Sequence, residues 1–247
     1  VYIKLVESGS KTLRFRASAS QNLVINSTEF VRYKATVTKG SAEAFSIKLR
    51  PSQSTSSGGF SIIICHPQEE ALSYATSYIP NHGVSGGVTR IADVCNNSGS
   101  AQDFNDSEGV LYAEMATLAD DSTLKSVCIN DSTTGNRVII NYSNQSNRLT
   151  ADVRVGGVGQ AFMQTFNFTI TNFLKIALKY KANDFALWVN GTEVATDNSG
   201  STFSANTLNN LSFDNGAGGE DFYGKVGEVQ VFTEALTDEQ LQKLTTI

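Results

Sequence analysis

The stretch FALWVNGTEVA, residues 185–195, is a β-hairpin written in eleven letters. Phe185, Leu187 and Val189 alternate with Ala186 and Trp188, the period of two expected of a strand with one face turned to a core. Asn190 and Gly191 then supply the two positive φ angles of a type I′ turn. The twist of that turn matches the twist of the strands it joins.

The same alternation recurs in short runs bounded by Gly, Asn, Asp and Ser. Upstream lie FVRYKATV (30–37), AFSIKLR (44–50), GVLYAEM (109–115), RVIINYS (137–143), LTADVRV (149–155), FMQTFNFTI (162–170) and FLKIALKY (173–180). Downstream lie NLSF (210–213) and KVGEVQVF (225–232). Turn signals spaced this regularly between β-branched and aromatic runs predict an antiparallel sandwich or jelly roll rather than alternating strands and helices. One helix breaks the pattern, LTDEQLQKL at 236–244. Thr237 can cap it, Gln240 completes a capping box, and Leu241 and Leu244 share a face.

Composition sets the outer limits. A chain of 247 residues, 40% hydrophobic and 17% charged, makes one large or two modest domains with a real core. The formal net charge of −5 and the absence of any Lys/Arg run exclude a surface that tracks phosphates. No stretch approaches the ~20 apolar residues that span a bilayer. The chain opens at Val1 inside the strand-like run VYIKLVE, which reads as the middle of something longer. Cys65, Cys95 and Cys128 read as small buried hydrophobes, and neither His66 nor His82 stands at ligand spacing from a cysteine pair. Nine Asn-x-Ser/Thr sequons, among them Asn141, Asn167 and Asn190, follow from an Asn- and Ser-rich composition and do not establish secretion.

Three pieces carry a family resemblance. FALWVNGTEVA resembles the "kLYVNG" hairpin of laminin G-like, concanavalin A-like jelly rolls. FYGKVGEVQVFTEALTDEQLQKL (222–244) resembles their last strand and terminal helix, and residues 108–247 fit that domain throughout. IIICHPQEEALSYATSYIPNHGVSGGVTRIADVC (62–95) is similar to the "GAQLEeGSYaTSYIPTxGsxvTRaADv" signature. In phage tail-fibre and receptor-binding proteins that signature closes a small carbohydrate-binding-module-like sandwich and leads into the jelly roll. The departures are Cys65-His66, where the signature has Gly-Ala, and Leu72, where it has Gly. Residues 29–64 resemble the second half of such a module.

The resemblance implies an all-β chain in three parts. Residues 1–78 are the end of a carbohydrate-binding-module-like β-sandwich and 79–107 an extended connecting strap. Residues 108–247 are a laminin G-like jelly roll closed by the one short C-terminal helix. Tyr74 and Tyr78, four apart, point to one side of an extended segment. The implied role is a non-catalytic tail-fibre or receptor-binding component, a homotrimer on the virion tail or outside the cell, that recognises a host-surface glycan. Two other roles fit the same residues: an accessory carbohydrate-binding module of a secreted bacterial enzyme or adhesin, and a purely structural virion protein. No nucleic-acid partner and no membrane insertion are expected.

The residues themselves argue against catalysis. Retaining glycosidases hold two carboxyl groups about 5 Å apart, whereas Glu108 and Glu114 on one extended strand are separated by about 20 Å. Glu220 and Asp221 are neighbours in sequence and would face opposite ways on a strand. For binding, a sugar needs an aromatic face beside planar polar groups. The candidates are Trp188, which falls on the face opposite Phe185, Leu187 and Val189, together with Tyr142, Arg154 and Asn215. Packing under a loop accounts for Trp188 equally well. The Gly-rich loop SFDNGAGGEDF (212–222) carries Asp214 and Asp221, oxygen donors of the kind calcium takes, and a plain turn satisfies its pattern as well. No other cofactor is expected.

Overall fold

The computed structural model describes residues 1–16, 20–36, 50–51, 61–70, 75–83, 85–88 and 98–247. Positions 44–49 of the predicted run at 44–50, Tyr74, Cys95 and the VTRIADV motif beyond Val88 lie outside them. The chain divides into two compact units, Val1–Ala92 and Asp93–Ile247.

The first unit contains two three-stranded antiparallel sheets. One is ordered β4 (Val31–Arg32), β1 (Tyr2–Leu5), β6 (Ile62–Cys65), and the other β3 (Ser20–Ile25), β2 (Lys11–Arg16), β5 (Arg50–Pro51). Ile3 and Leu5 from one sheet meet Leu13 and Ile25 from the other in a small apolar core. Residues 75–78 of the predicted module and Ile79, the first residue of the predicted strap, are tied to residues 66–70 of this unit. The Gln68 amide oxygen accepts from the Ile79 N–H at 2.6 Å, and Glu70 accepts from the Thr76 N–H at 2.8 Å. The Tyr78 ring rests 4.5 Å from that of His66.

The second unit is a sandwich of two five-stranded antiparallel sheets. In the first, β14 (Thr192–Asp197), β13 (Phe185–Val189), β12 (Leu174–Lys181), β7 (Glu108–Thr117) and β16 (Gly224–Phe232) follow in that order. In the second, the order is β11 (Val158–Thr165), β10 (Leu149–Val155), β9 (Arg137–Tyr142), β8 (Lys125–Asn130) and β15 (Asn210–Ser212). Alternate residues of each strand face inward. Leu111, Ala113 and Met115 of β7, Ile176 and Leu178 of β12, and Phe185, Leu187 and Val189 of β13 meet Val127, Ile129, Val138, Ile140, Ala151 and Val153 from the opposite sheet. Residues 98–107 complete this unit. Ser98 bridges to Leu211, Phe104 enters the core, and the Asp106 carboxylate accepts from the Leu208 N–H at 2.8 Å.

The hairpin of residues 185–195 forms as its sequence requires, with φ of 50° at Asn190 and 78° at Gly191. A second hairpin was not legible. The run at 162–170 predicts a strand that begins at Phe162, yet β11 starts at Val158 and ends at Thr165. Gly156 and Gly157, at φ 57° and 82°, close a two-residue turn that pairs Val155 with Val158.

The helix α1 (Asp238–Thr245) carries the predicted capping box: Thr237 Oγ1 accepts from the Gln240 N–H and Gln240 Oε1 accepts from the Thr237 N–H. Asp238 and Glu239 in its first turn and Lys243 in its last complement the helix dipole. Its Leu241 seals a second apolar cluster on the outer face of the first sheet, over Val110, Tyr112, Ala177, Ala186 and Trp188. Thr245 Oγ1 accepts from the Gly191 N–H at 3.0 Å, so the helix end is tied to the hairpin turn. This sheet is thus helix-backed.

Leu241→Ala is expected to destabilise the unit by about 2–4 kcal/mol, the usual cost of emptying a buried leucine site. Trp188 is the single tryptophan of the chain, so its emission should shift to the red in the variant, read together with the denaturant midpoint.

Candidate functional site

The outer face of the second sheet is built differently. Inward residues of β8, β9, β10 and β11 are apolar, which leaves Ser126, Cys128 and Asn130, then Arg137, Ile139 and Asn141, then Thr150, Asp152 and Arg154, then Phe162 and Gln164 outward. The ladder lines these up in rows: Ser126, Asn141, Thr150, Gln164 in one, and Cys128, Ile139, Asp152, Phe162 in the next. Most of the polar members are buried, although they face away from the core.

Burying polar groups is costly unless they are paired, and the loop at 213–221 supplies the pairing on one half of the face. The Ser126 N–H donates to the Glu220 carbonyl at 2.9 Å, and Ser126 Oγ lies between Asn141 Oδ1 (2.6 Å) and Glu220 Oε2 (3.1 Å). Cys128 Sγ donates to the Asp214 carbonyl at 3.2 Å. Arg137 Nη1 donates to the Asn215 carbonyl at 3.0 Å. The loop can lie this close because Gly216, at φ 93°, has no side chain; a Cβ there would stand 2.6 Å from the Thr133 carbonyl oxygen.

Over β10 and β11 the loop makes no hydrogen bond among the described residues, and the exposure is greatest at the edge strand. The centre of this part of the face is Asp152, whose Oδ2 accepts from Arg154 Nε at 2.8 Å and faces Arg137 Nη2 at 3.5 Å. Directly opposite Asp152 on the edge strand stands Phe162, 56% exposed. Beside them Asn141, Thr150 and Asp152 are each at most 9% exposed. Asn141 Nδ2, Thr150 Oγ1 and Asp152 Oδ1 have no hydrogen-bond partner among the described residues and reach the surface, whereas Arg137 Nε is buried without one. At the far end of the face Gln164 Oε1 holds the Arg148 guanidinium, which lies 5.6 Å from the centre of the Phe166 ring. The face therefore offers the guanidinium groups of Arg137, Arg154 and Arg148, a carboxylate, amides and a hydroxyl beside an exposed aromatic ring.

Two of the residues singled out in the sequence, Arg154 and Asn215, meet here, joined through Arg137 and Asp152. Asp214 lies in the covering loop, where its Oδ1 accepts from Ser212 Oγ at 2.7 Å and the Gly216 N–H at 2.6 Å. Asp221 is exposed and takes a 3.4 Å contact from the Tyr223 hydroxyl. Among the described residues no three His, Cys, Asp or Glu side chains gather as a metal site would require. Tyr142 faces the sandwich core, fully buried, and its hydroxyl donates to the Met115 carbonyl at 2.9 Å. Trp188 lies on the other sheet beneath α1, its indole N–H buried without a partner among the described residues. Asp152, Arg137, Asn141 and Phe162 were not foreseen. The phase of LTADVRV held the signal, since giving Leu149, Ala151 and Val153 to the core turns Thr150, Asp152 and Arg154 outward.

A family profile described as the concanavalin A-like lectin/glucanases superfamily matches residues 113–242, more than half of the chain. The chain belongs to that superfamily. No curated protein matches it. Among solved structures, this concanavalin A-like chain is similar to the Ruminococcus gnavus IT-sialidase CBM40 bound to α2,3-sialyllactose. That match has 18% identity and a TM-score of 0.50, and covers 61% of this chain and 93% of that one. It is also similar to the leech intramolecular trans-sialidase complexed with 2,7-anhydro-Neu5Ac (19% identity, TM-score 0.47, 58% of this chain and 24% of that one). A third is the heptameric SAP-like pentraxin of Limulus polyphemus (14%, 0.43, 55% and 68%). At such identities the likeness is one of fold.

Within this concanavalin A-like sheet Cys128 is sealed. Burial pushes its thiol up to about 11 from an ordinary 9.0. The unfolded chain therefore ionises this thiol first, and the folded state should lose stability as pH rises from about 9 towards 11. Alkylation of Cys128 by iodoacetamide at pH 8, followed by peptide mass spectrometry, should be slow in the folded protein and rapid once it is denatured.

Proposed function

We propose that the chain is a non-catalytic glycan-binding protein and that the part of the loop-covered sheet beyond the loop, around Phe162, holds the sugar. One observation carries the reading: Asn141, Thr150 and Asp152, largely buried residues, each turn an unpaired polar atom to the surface beside the exposed ring of Phe162. A pyranose matches that arrangement, because its C–H face stacks on an aromatic ring while its hydroxyls both donate and accept. Arg154, held by Asp152, is pre-oriented to donate, which reduces the ordering cost of binding. The superfamily contains lectins, and the CBM40 domain of similar fold is bound to a sialylated sugar, which supports the reading at the level of the fold.

The wider role rests on the resemblance of residues 62–95 to the tail-fibre signature. In this proposal the protein is a homotrimeric receptor-binding component on a phage tail or outside the cell, directed to a host-surface glycan. The part of the signature at 75–79 is anchored to the first unit through Gln68, Glu70 and His66, as a segment of defined structure would be.

Binding to a panel of neutral and acidic oligosaccharides, sialyllactose included, tests the site by calorimetry. Phe162→Ala and Arg154→Ala are each expected to weaken the best ligand about tenfold, the loss of roughly 1.4 kcal/mol of stacking or hydrogen bonding. No new reducing ends should appear on prolonged incubation. Absence of any ligand, or variants that bind like the parent, would overturn the reading. Sedimentation of the whole chain should show a trimer; a monomer would transfer the role to an accessory module.

A further inference from the structure

One strand pair of the loop-covered sheet carries the same two kinds of side chain at both of its ends. β10 and β11 run antiparallel, with Asp152 opposite Phe162, Thr150 opposite Gln164 and Leu149 opposite Thr165. Leu149, Ala151, Val153, Ala161 and Met163 fill the core, so alternation turns Thr150, Asp152, Arg154, Phe162 and Gln164 outward. Arg148 and Phe166 sit one residue outside the paired Leu149 and Thr165, and the Arg148 guanidinium lies 5.6 Å from the centre of the Phe166 ring. At the other end Arg154 stands two residues beyond Asp152, the partner of Phe162. Both phenyl rings are exposed. A guanidinium group beside an exposed ring therefore occurs twice. The two rings are four residues apart, about 13 Å along an extended chain.

This track is positively charged, although the chain as a whole has a net charge of −5. β9, β10 and β11 hold a single carboxylate, Asp152, against Arg137 and Arg154, and Arg148 adds a third cation just before β10. Arg137 and Arg154 face each other directly across the ladder, where like charges repel. Both draw on the same Asp152 Oδ2, at 3.5 and 2.8 Å. Among the described residues neither has another ion-pair partner, and Arg148 has none. Glu220 lies over Ser126 of β8, on the loop-covered side.

One carboxylate shared by two guanidinium groups leaves a positive charge uncancelled. Part of that charge is desolvated, since the Arg137 side chain is 13% exposed and its Nε is buried without a partner. An uncancelled charge of this kind is costly, and an anion arriving from solvent lowers the cost. The place for it is open. Asp152 takes only Nε of Arg154, a side chain 44% exposed, and both Nη atoms have no partner among the described residues. That end of the guanidinium is a planar two-donor fork, the shape that accepts a carboxylate or a phosphate. Gln164 Oε1 likewise takes Nε and Nη2 of Arg148 and leaves Nη1.

We propose, on the basis of the glycan reading above, that the ligand is a linear acidic oligosaccharide laid along β10 and β11. An acidic sugar stacks on Phe162 and places its charged group on the free end of Arg154, while Asp152 Oδ1 accepts from its hydroxyls. The chain continues past Thr150, and a second acidic sugar packs on Phe166 with its charge at Arg148. One sugar ring cannot reach both ends, so affinity rises with chain length until both guanidinium–phenyl pairs are engaged, the second contact forming at the high local concentration set by the first.

The test presents the whole chain with acidic oligosaccharides beside their uncharged forms of equal length: sialyllactose with lactose, oligogalacturonates of increasing length with their methyl esters, and a phosphorylated oligomannose with its parent. Calorimetry on the best pair should show the acidic member binding about ten- to a hundredfold tighter, the usual gain from hydrogen bonds to a charged group. The preferred pair separates a carboxylate from a phosphate ligand. That affinity should fall severalfold between about 0.05 and 0.5 M salt, as screening shortens the reach of exposed charges. Arg148→Gln and Phe166→Ala should each weaken the longer acidic ligand about tenfold. Both side chains lie at the surface, so both variants should melt close to the parent. Neutral members that bind as tightly as acidic ones, still sensitive to Phe162→Ala and Arg154→Ala, would overturn this inference and leave the glycan reading standing. Acidic ligands held at full affinity by both the Arg148 and the Phe166 variant, or a single acidic sugar bound as tightly as its oligomer, would also overturn it. No binding by any member would overturn both.

Discussion

The second unit depends on a constraint on one strand. β7 is hydrogen-bonded on both edges, to β12 and to β16, and is covered on both faces. Leu111, Ala113 and Met115 fill the sandwich, while Val110 and Tyr112 pack beneath Leu241 of the terminal helix. A slip of one residue would exchange these two sets and drive Glu114 into the apolar core. The register of β7 therefore fixes its neighbours and also what each outer face can offer.

The two outer faces solve their burial problem by opposite means. The helix-backed sheet covers Trp188 and Tyr112 with the apolar side of an amphipathic helix. The other sheet covers Ser126 and Cys128 with a polar loop that bonds them through Glu220 and Asp214, while Asn130 donates to Ser212 at the end of β15. Polar burial is tolerable only to the extent that partners are found. Where the loop stops, over β9 and β10, the partners stop too, and Asn141, Thr150 and Asp152 retain free polar atoms. The limit of the loop thus defines the surface a ligand can complete.

This division explains why the aromatic residues singled out in the sequence do not lie on the proposed glycan surface. Trp188, the side chain best suited to stack on a sugar, is held under α1, and Tyr142 bonds Met115 from within the core. Phe162, on an edge strand, remains exposed because nothing in the described structure crosses it. The charged residues behave alike: Arg154 and Arg137 are organised by one carboxylate, whereas Glu114 and Glu228, paired across the ladder, have no ion-pair partner among the described residues.

What the sequence determined by itself is local. Alternation of period two marked the strands, Asn190-Gly191 marked a type I′ hairpin, and Thr237 with Gln240 marked the start of α1, because each depends on backbone geometry within a few residues. The family resemblance of residues 108–247 added the order of those pieces. The Gly156-Gly157 turn was missed, since a glycine pair is equally at home in a loop. Only the tertiary structure decided which strands became neighbours. That pairing set Asp152 against Phe162, brought Arg137 to Asn215 across 78 positions, and placed Glu114 opposite Glu228. Such contacts arise from ladder order and from the bulge at Gly227, long-range choices settled by the burial of the whole core rather than by any short run of residues.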